Sequence, residues 1–254
     1  MLGVDRRREV YDYVRAHRSA SVGELAQALA VSLQTVRRDL ASLEEGGLVQ
    51  RVHGGAVVHD RPEPEEIEAL NRAGIRQEQK RRIGAAAARL VEPGTTIFLS
   101  GGTTTEHVVP FLEHIRGLTV VTNAINIAQA LARHPEIEVI VLSGYLRHRE
   151  LTLLGRLVEE AIGQFNIDRA LYGCFGLDPE DGLTGASLEE ASTDRAIIAA
   201  VDRLTVLADH SKFAQRGPVR MAERSRISTV VTDREAPAEA VRQLREHDVE
   251  VVLT

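Results

Sequence analysis

From residue 75 onward, seven short apolar runs alternate with helical patterns, and that alternation leaves few ways for the chain to fold. The runs fall at 95–99, 118–122, 139–142, 170–175, 205–208, 228–232 and 249–253. Helical spacing of apolar residues covers 75–90, 106–115, 124–133, 156–165, 188–201 and 236–247. A strand that returns through a helix pairs in parallel, because a parallel partner needs a long crossover. Residues 75–254 are therefore expected to form a Rossmann-like, doubly wound parallel α/β sheet. Sheets of this kind take ligands at the carboxyl ends of their strands, so the residues just after each run carry the functional weight.

The first run is followed by Ser100, Gly101, Gly102, Thr103, Thr104 and Thr105, and then a helix. Glycines let backbone N–H groups converge, the hydroxyls add donors, and a helix N-terminus supplies positive potential. Together these make a cradle for an anion such as phosphate. A plain strand-to-helix turn with threonine caps is the other reading of the same residues. The second run ends at Thr122 and Asn123, the third at Ser143 and Gly144, the fourth at Gly176 and Asp178, the fifth at Asp209, His210, Ser211 and Lys212. Among 31 basic residues only Lys80 and Lys212 are lysines. A lysine kept against such a bias suggests a need for a compact ammonium, and Lys212, at a strand end beside an anion loop, reads as a ligand contact.

The first sixty residues follow a different pattern. Val10, Tyr13 and Val14 lie at helical spacing. Ser21 and Glu24 form a capping box for a second helix carrying Leu25, Ala28 and Leu29. Ser32 caps a third helix, at about 33–45, with Val36, Leu40 and Leu43 turned inward and Gly46 and Gly47 ending it. Runs at 48–51 and 56–58 flank His53, Gly54 and Gly55 as a hairpin. Three helices and a hairpin predict a winged helix-turn-helix, whose third helix enters the DNA major groove. Ser32, Gln34, Thr35, Arg37 and Arg38 would face DNA, Gln and Arg being suited to base edges. Arg51 and His53 would reach the sugar-phosphate backbone, with Gly54 and Gly55 permitting close approach. Asp39 is expected to steer a neighbouring arginine. Two adjacent arginines alone would be only a solvated face; the capped helices and glycine-tipped hairpin around them favour the DNA reading.

Between these regions, 59–74 is rich in proline and acids and reads as a linker. The expected domains are thus 1–58, with the helix-turn-helix at about 20–39, and 75–254. The net charge is −6, but residues 1–60 balance eight arginines against eight acids, so DNA binding would need a focused face rather than a diffuse field. No run of about 18 apolar residues suggests a membrane span, and the charged start does not look like a signal peptide. The single cysteine, Cys174, lies in an apolar run and fits a reduced cytoplasmic location.

Residues 31–56, VSLQTVRRDLASLEEGGLVQRVHGGA, closely resemble the N-terminal signature of the DeoR family of bacterial transcriptional regulators. IFLSGGTTTEHV, LTVVTNAINIA, VLSGYLR, LLGRLVEEAI, GLTGASLEEASTDRAII and LADHSKF resemble that family's C-terminal sensor domain. The resemblance implies sequence-specific binding of operator DNA, a sensor fold related to ribose-5-phosphate isomerase, and a phosphorylated sugar or related metabolite as effector. It implies that Gly101, Gly102, Thr103, Thr104 and Thr105 hold the phosphate while Asn123, Gly144, Glu190 and Lys212 line the rest of the pocket. Departures from the family pattern are Ser100 for an Asp, Gly101 for a Ser, Tyr145 for a Gly, and Asp194 for a basic residue. They leave the cradle in place and the sugar unspecified. The expected protein is a repressor of carbohydrate genes, a homodimer or homotetramer, without cofactor or metal. The alternative is an isomerase- or deaminase-like enzyme with Glu190 or Asp178 as base.

Overall fold

The computed structural model describes residues 19–45, 49–52, 54–58 and 74–254, together with Arg6, Val10, Tyr13, Val14 and His17. His53, Gly46, Gly47 and residues 59–73 of the predicted linker lie outside the described residues. The chain divides into two compact units, Met1–Glu63 and Pro64–Thr254.

In the first unit, Arg6, Val10, Tyr13, Val14 and His17 are helical, followed by β1 (Ser19–Ser21), α1 (Val22–Ala28), α2 (Leu33–Glu45), β2 (Val49–Val52) and β3 (Gly55–Val58). The capping box at α1 forms as its sequence dictates. Glu24 N donates to Ser21 Oγ at 3.1 Å, and Ser21 N donates to Glu24 Oε2 at 2.7 Å. Such a cap stabilises a helix start by about 1 kcal/mol. Val36, Leu40 and Leu43 of α2 pack with Leu25, Val10, Val14 and Val49 into one small core. The hairpin is not two-stranded, as its sequence suggested: β1 adds to β3, giving the antiparallel order β1-β3-β2. Ser19–Ser21 is too short and too polar to announce a strand by alternation.

The second unit opens with α3 (Gln77–Ala88). The seven apolar runs become β4 (Thr96–Leu99), β5 (Thr119–Thr122), β6 (Glu138–Val141), β9 (Ile167–Gly173), β12 (Val201–Leu207), β14 (Ile227–Thr232) and β15 (Glu250–Leu253). They build one sheet in the order β15-β14-β12-β9-β4-β5-β6, with every pairing parallel. Successive residues enter opposite cores: Ile97 and Leu99 join one cluster and Phe98 the other, and Val120 and Val121 divide likewise. Burial on both faces explains why these strands read as continuous apolar runs. From β4 the chain winds outward through β5 and β6. It then returns to the other side of β4 as β9 and winds the opposite way, so β4 and β9 flank the topological switch point.

Helices α5 (Ile125–Leu131), α6 (Arg156–Ile162), α7 (Leu188–Ala199) and α8 (Ala238–Glu246) fall inside predicted helices. The helix expected at 106–115 does not form. The chain makes one turn, α4 (Thr103–Glu106), and then a 3-10 turn at Val109–Phe111. Pro110 has no N–H to donate and its ring would strike the carbonyl four residues back, so an α-helix cannot continue through it. Two small antiparallel sheets escaped the sequence reading: β7 (Tyr145–Arg147) with β8 (Thr152–Leu154), and β10 (Gly176–Asp178), β11 (Gly182–Gly185) and β13 (Val219–Ala222).

Candidate functional sites

In the first unit, Gln34, Arg37 and Arg38 stand at helical spacing of three and four on α2 and all are exposed, opposite the buried Val36, Leu40 and Leu43. Ser32, also exposed, caps the helix: its Oγ accepts from Thr35 N at 3.1 Å and lies 2.8 Å from Thr35 Oγ1. Thr35 is half-buried. Asp39, only 2% exposed, accepts from Arg6 Nε at 2.6 Å and Nη2 at 3.1 Å. Its arginine is thus not a chain neighbour but one on the first helical stretch. That contact raises the Arg6 pKa, chiefly through the hydrogen bond to Asp39.

On the hairpin, Arg51 is exposed, and its backbone N donates to Glu44 Oε1 at 3.0 Å. Gly54 has φ +83° and open space around it, as a turn tip requires. Gly55 does not share that role. It is buried, and a Cβ there would lie 2.3 Å from Ala20 O, so its missing side chain lets β1 dock on β3.

In the second unit the loop after β4 borders a cavity of about 170 Å³ at the switch point. That is room for more than a few waters, as a small metabolite requires. Gly101, Gly102, Thr103, Thr104, Asn123, Glu190 and Lys212 line it. Gly102, at φ +126°, precedes the first turn of α4. A Cβ on Gly101 would lie 2.3 Å from Thr152 Cγ2, so β8 rests directly against the loop. Ser100 Oγ accepts from Gly173 N at 2.9 Å and joins the ends of β4 and β9. Asn123 Nδ2 donates to Leu153 O at 2.9 Å, fixing β8 beside β5.

Two predicted lining residues stand elsewhere. Thr105 is fully buried and its hydroxyl donates back to Gly102 O at 2.9 Å, closing the loop rather than facing the cavity. Gly144 provides a close approach, since a Cβ would lie 2.6 Å from Leu154 O.

The structure adds residues that the strand-end rule could not reach. Lys80, on α3, is 4% exposed, lines the cavity, and donates from Nζ to Thr103 Oγ1 at 2.8 Å. Its scarcity in the composition was the available signal. Arg76, which precedes α3 with φ +53°, also lines the cavity. Asp209 is 3% exposed. Burial pushes its pKa up, but the Ser211 donors, Lys212 and Arg76 outweigh burial and hold it below the usual carboxylate value.

Another part of the wall carries Tyr172, Asp194, Glu190 and Glu150. The Tyr172 hydroxyl donates to Asp194, and Arg147 pairs with Glu190. Burial pushes Asp194 up to about 7 against the pull of Tyr172 and Arg147. Burial and the adjacent Asp194 raise Tyr172 well above its ordinary value. Cys174 also lines the cavity, but burial lifts its thiol to about 12, far from a reactive thiolate.

Among the described residues, His210, Asp233 and Glu235 approach as a metal set might. Asp233 instead caps a turn: its oxygens accept from His210 N and Glu235 N, each at 2.9 Å, and from His210 Nδ1 at 3.1 Å.

Residues 6–61 match the DeoR-like helix-turn-helix domain and residues 75–234 the DeoR C terminal sensor domain. Along its whole length the chain is 31% identical to the glycerol-3-phosphate regulon repressor of Escherichia coli (strain K12), over 253 residues covering 100% of both chains. It is 34% identical to the uncharacterized HTH-type transcriptional regulator FruR of Bacillus subtilis (strain 168), covering 92% of this chain and 93% of that one. A D-ribose-5-phosphate isomerase in complex with phospho-erythronic acid is a distant structural likeness, at TM-score 0.41 and 19% identity over 54% of each chain.

Proposed function

This chain belongs to the DeoR family of DNA-binding transcriptional regulators, and from that premise we propose that it is a repressor released or engaged by a small phosphorylated metabolite. Residues 1–58 would read operator DNA, 59–74 would link, and 75–254 would hold the effector. The observation that carries the effector half is the meeting of the chain's two lysines, Lys80 and Lys212, on one cavity bordered by the Gly-Thr loop. Cations, converging amides and hydroxyls at a switch point are what a phosphate requires. Gly101, Gly102, Thr103 and Thr104 would cradle it, with Lys80, Lys212 and Arg76 supplying charge. A relative named for a glycerol-3-phosphate regulon agrees with that chemistry.

The DNA half rests on Gln34, Arg37 and Arg38, exposed on one face of α2, with Ser32 and Thr35 at its start and Arg51 and Gly54 on the hairpin; His53, expected from the sequence to reach the backbone, would join them. One head of this size makes few phosphate contacts, so paired heads in a homodimer or homotetramer on repeated half-sites are part of the proposal. In this reading the effector is bound rather than turned over: of the two candidate bases, Glu190 is engaged by Arg147, and Asp178 caps a turn, accepting from Glu180 N and Asp181 N.

Mobility shifts of full-length protein on operator DNA, with and without glycerol 3-phosphate or a longer polyol phosphate, test this reading. The effector should change operator affinity. Thr104→Ala should blunt that change while leaving effector-free binding intact. Operator binding indifferent to every phosphorylated probe would overturn the sensor assignment.

A further inference from the structure

We propose that Asp194 sets effector selectivity, admitting monophosphates whose far end carries hydroxyls and rejecting those whose far end carries a second anion. The inference rests on the phosphate-effector reading of the same cavity. Glu190 and Asp194 are one helical turn apart on α7 and both line the cavity, with Glu150 and Tyr172 beside them. Three carboxylates thus share this part of the wall, with Arg147 bonded to Glu190 behind it. Lys212 and Arg76 lie instead around Asp209, and Lys80 bonds Thr103 of the anion loop.

The two parts of the wall therefore ask for opposite chemistry. The Tyr172 hydroxyl donates to one oxygen of Asp194, and a carboxyl group has capacity for further hydrogen bonds. A hydroxyl of the effector can donate there. A carboxylate or second phosphate in its place would lose water beside like charges, which costs affinity.

The test uses pairs of equal carbon length that differ only in CH2OH against carboxylate at the end opposite the phosphate. These are glycerol 3-phosphate with 3-phosphoglycerate, erythritol 4-phosphate with 4-phosphoerythronate, and glucitol 6-phosphate with 6-phosphogluconate. Calorimetric titration of the full chain at pH 8.5, where Asp194 carries its charge, should show the polyol of the best-fitting pair binding about tenfold more tightly than its acid or better. Asp194→Asn keeps an acceptor for Tyr172 and should shrink that gap to about threefold or less. If the wild type binds acid and polyol equally, or the gap survives in Asp194→Asn, Asp194 is not the discriminator, although the phosphate site stands. If neither inorganic phosphate nor any pair binds, the phosphate reading falls and this inference with it.

Discussion

The two units treat charge in opposite ways. The smaller one turns Arg37, Arg38 and Arg51 to solvent around a core of a few side chains. The larger one places Lys80, Asp209 and Asp194 in the wall of a cavity at the strand ends of a sheet buried on both faces. A surface that reads nucleic acid must offer its cations before contact, since the partner is large and approaches from outside. A pocket for a small anion works better with its charges already desolvated and fixed by neighbours, because preorganised donors lose little entropy on binding. Exposed charges leave stability nearly unaffected when removed, whereas those in the pocket are tied to the packing around them.

That contrast can be broken or sharpened experimentally. The largest effect is expected from Leu40→Ala, where loss of a buried side chain costs about 2–5 kcal/mol and removes most of the stability of so small a core. Calorimetry should show early melting of the first unit and loss of operator binding, with ligand-dependent melting of the second unit retained. Lys80→Met should weaken binding of inorganic phosphate by about 1.5–3 kcal/mol, the range of a hydrogen bond to a charged group, as read by titration. Arg38→Ala should cost about 1–3 kcal/mol in specific operator binding while the melting temperature stays put; a destabilised Arg38→Ala would dissolve the distinction between the units.

The pH dependence of Asp194 is a smaller effect. Its folded value, about 7, lies above the ordinary carboxylate value of 3.8. The folded state therefore holds a proton that the unfolded chain releases, and this contribution to stability falls as pH rises through that window. Asp194→Asn should stabilise more at pH 8 than at pH 5, by about 1–2 kcal/mol after allowance for solvent in the cavity. The smallest effect is Ala30→Gly. Ala30 sits at φ +51° after α1, and glycine there should raise stability by about 0.5–1 kcal/mol in a thermal melt.

Legibility followed local periodicity. The parallel strands could be read because residues such as Ile97, Phe98 and Leu99 are apolar in succession, the mark of burial on both faces. The loop that borders the cavity could be read because its glycines and threonines are contiguous after β4. What stayed hidden was set by tertiary contact. Strands β7, β8, β10, β11 and β13 are three or four residues long and too short to show a period. Lys80 reaches Thr103 from a helix 23 residues earlier, and only its rarity marked it. Thr105 and Gly144 had the right residue types and neighbours, but one closes the loop and the other lets a backbone pass. Asp194 was visible only as a departure from a family pattern; its tie to Tyr172 depends on where α7 lands against β9.

The grip of Arg6 on Asp39 has a practical side. Removal of the first six residues would strip the counter-ion from Asp39, a carboxylate shut away on the inner side of α2. A chain so shortened would keep every residue of its second unit yet melt earlier in its first, with a charge left stranded in the smaller core.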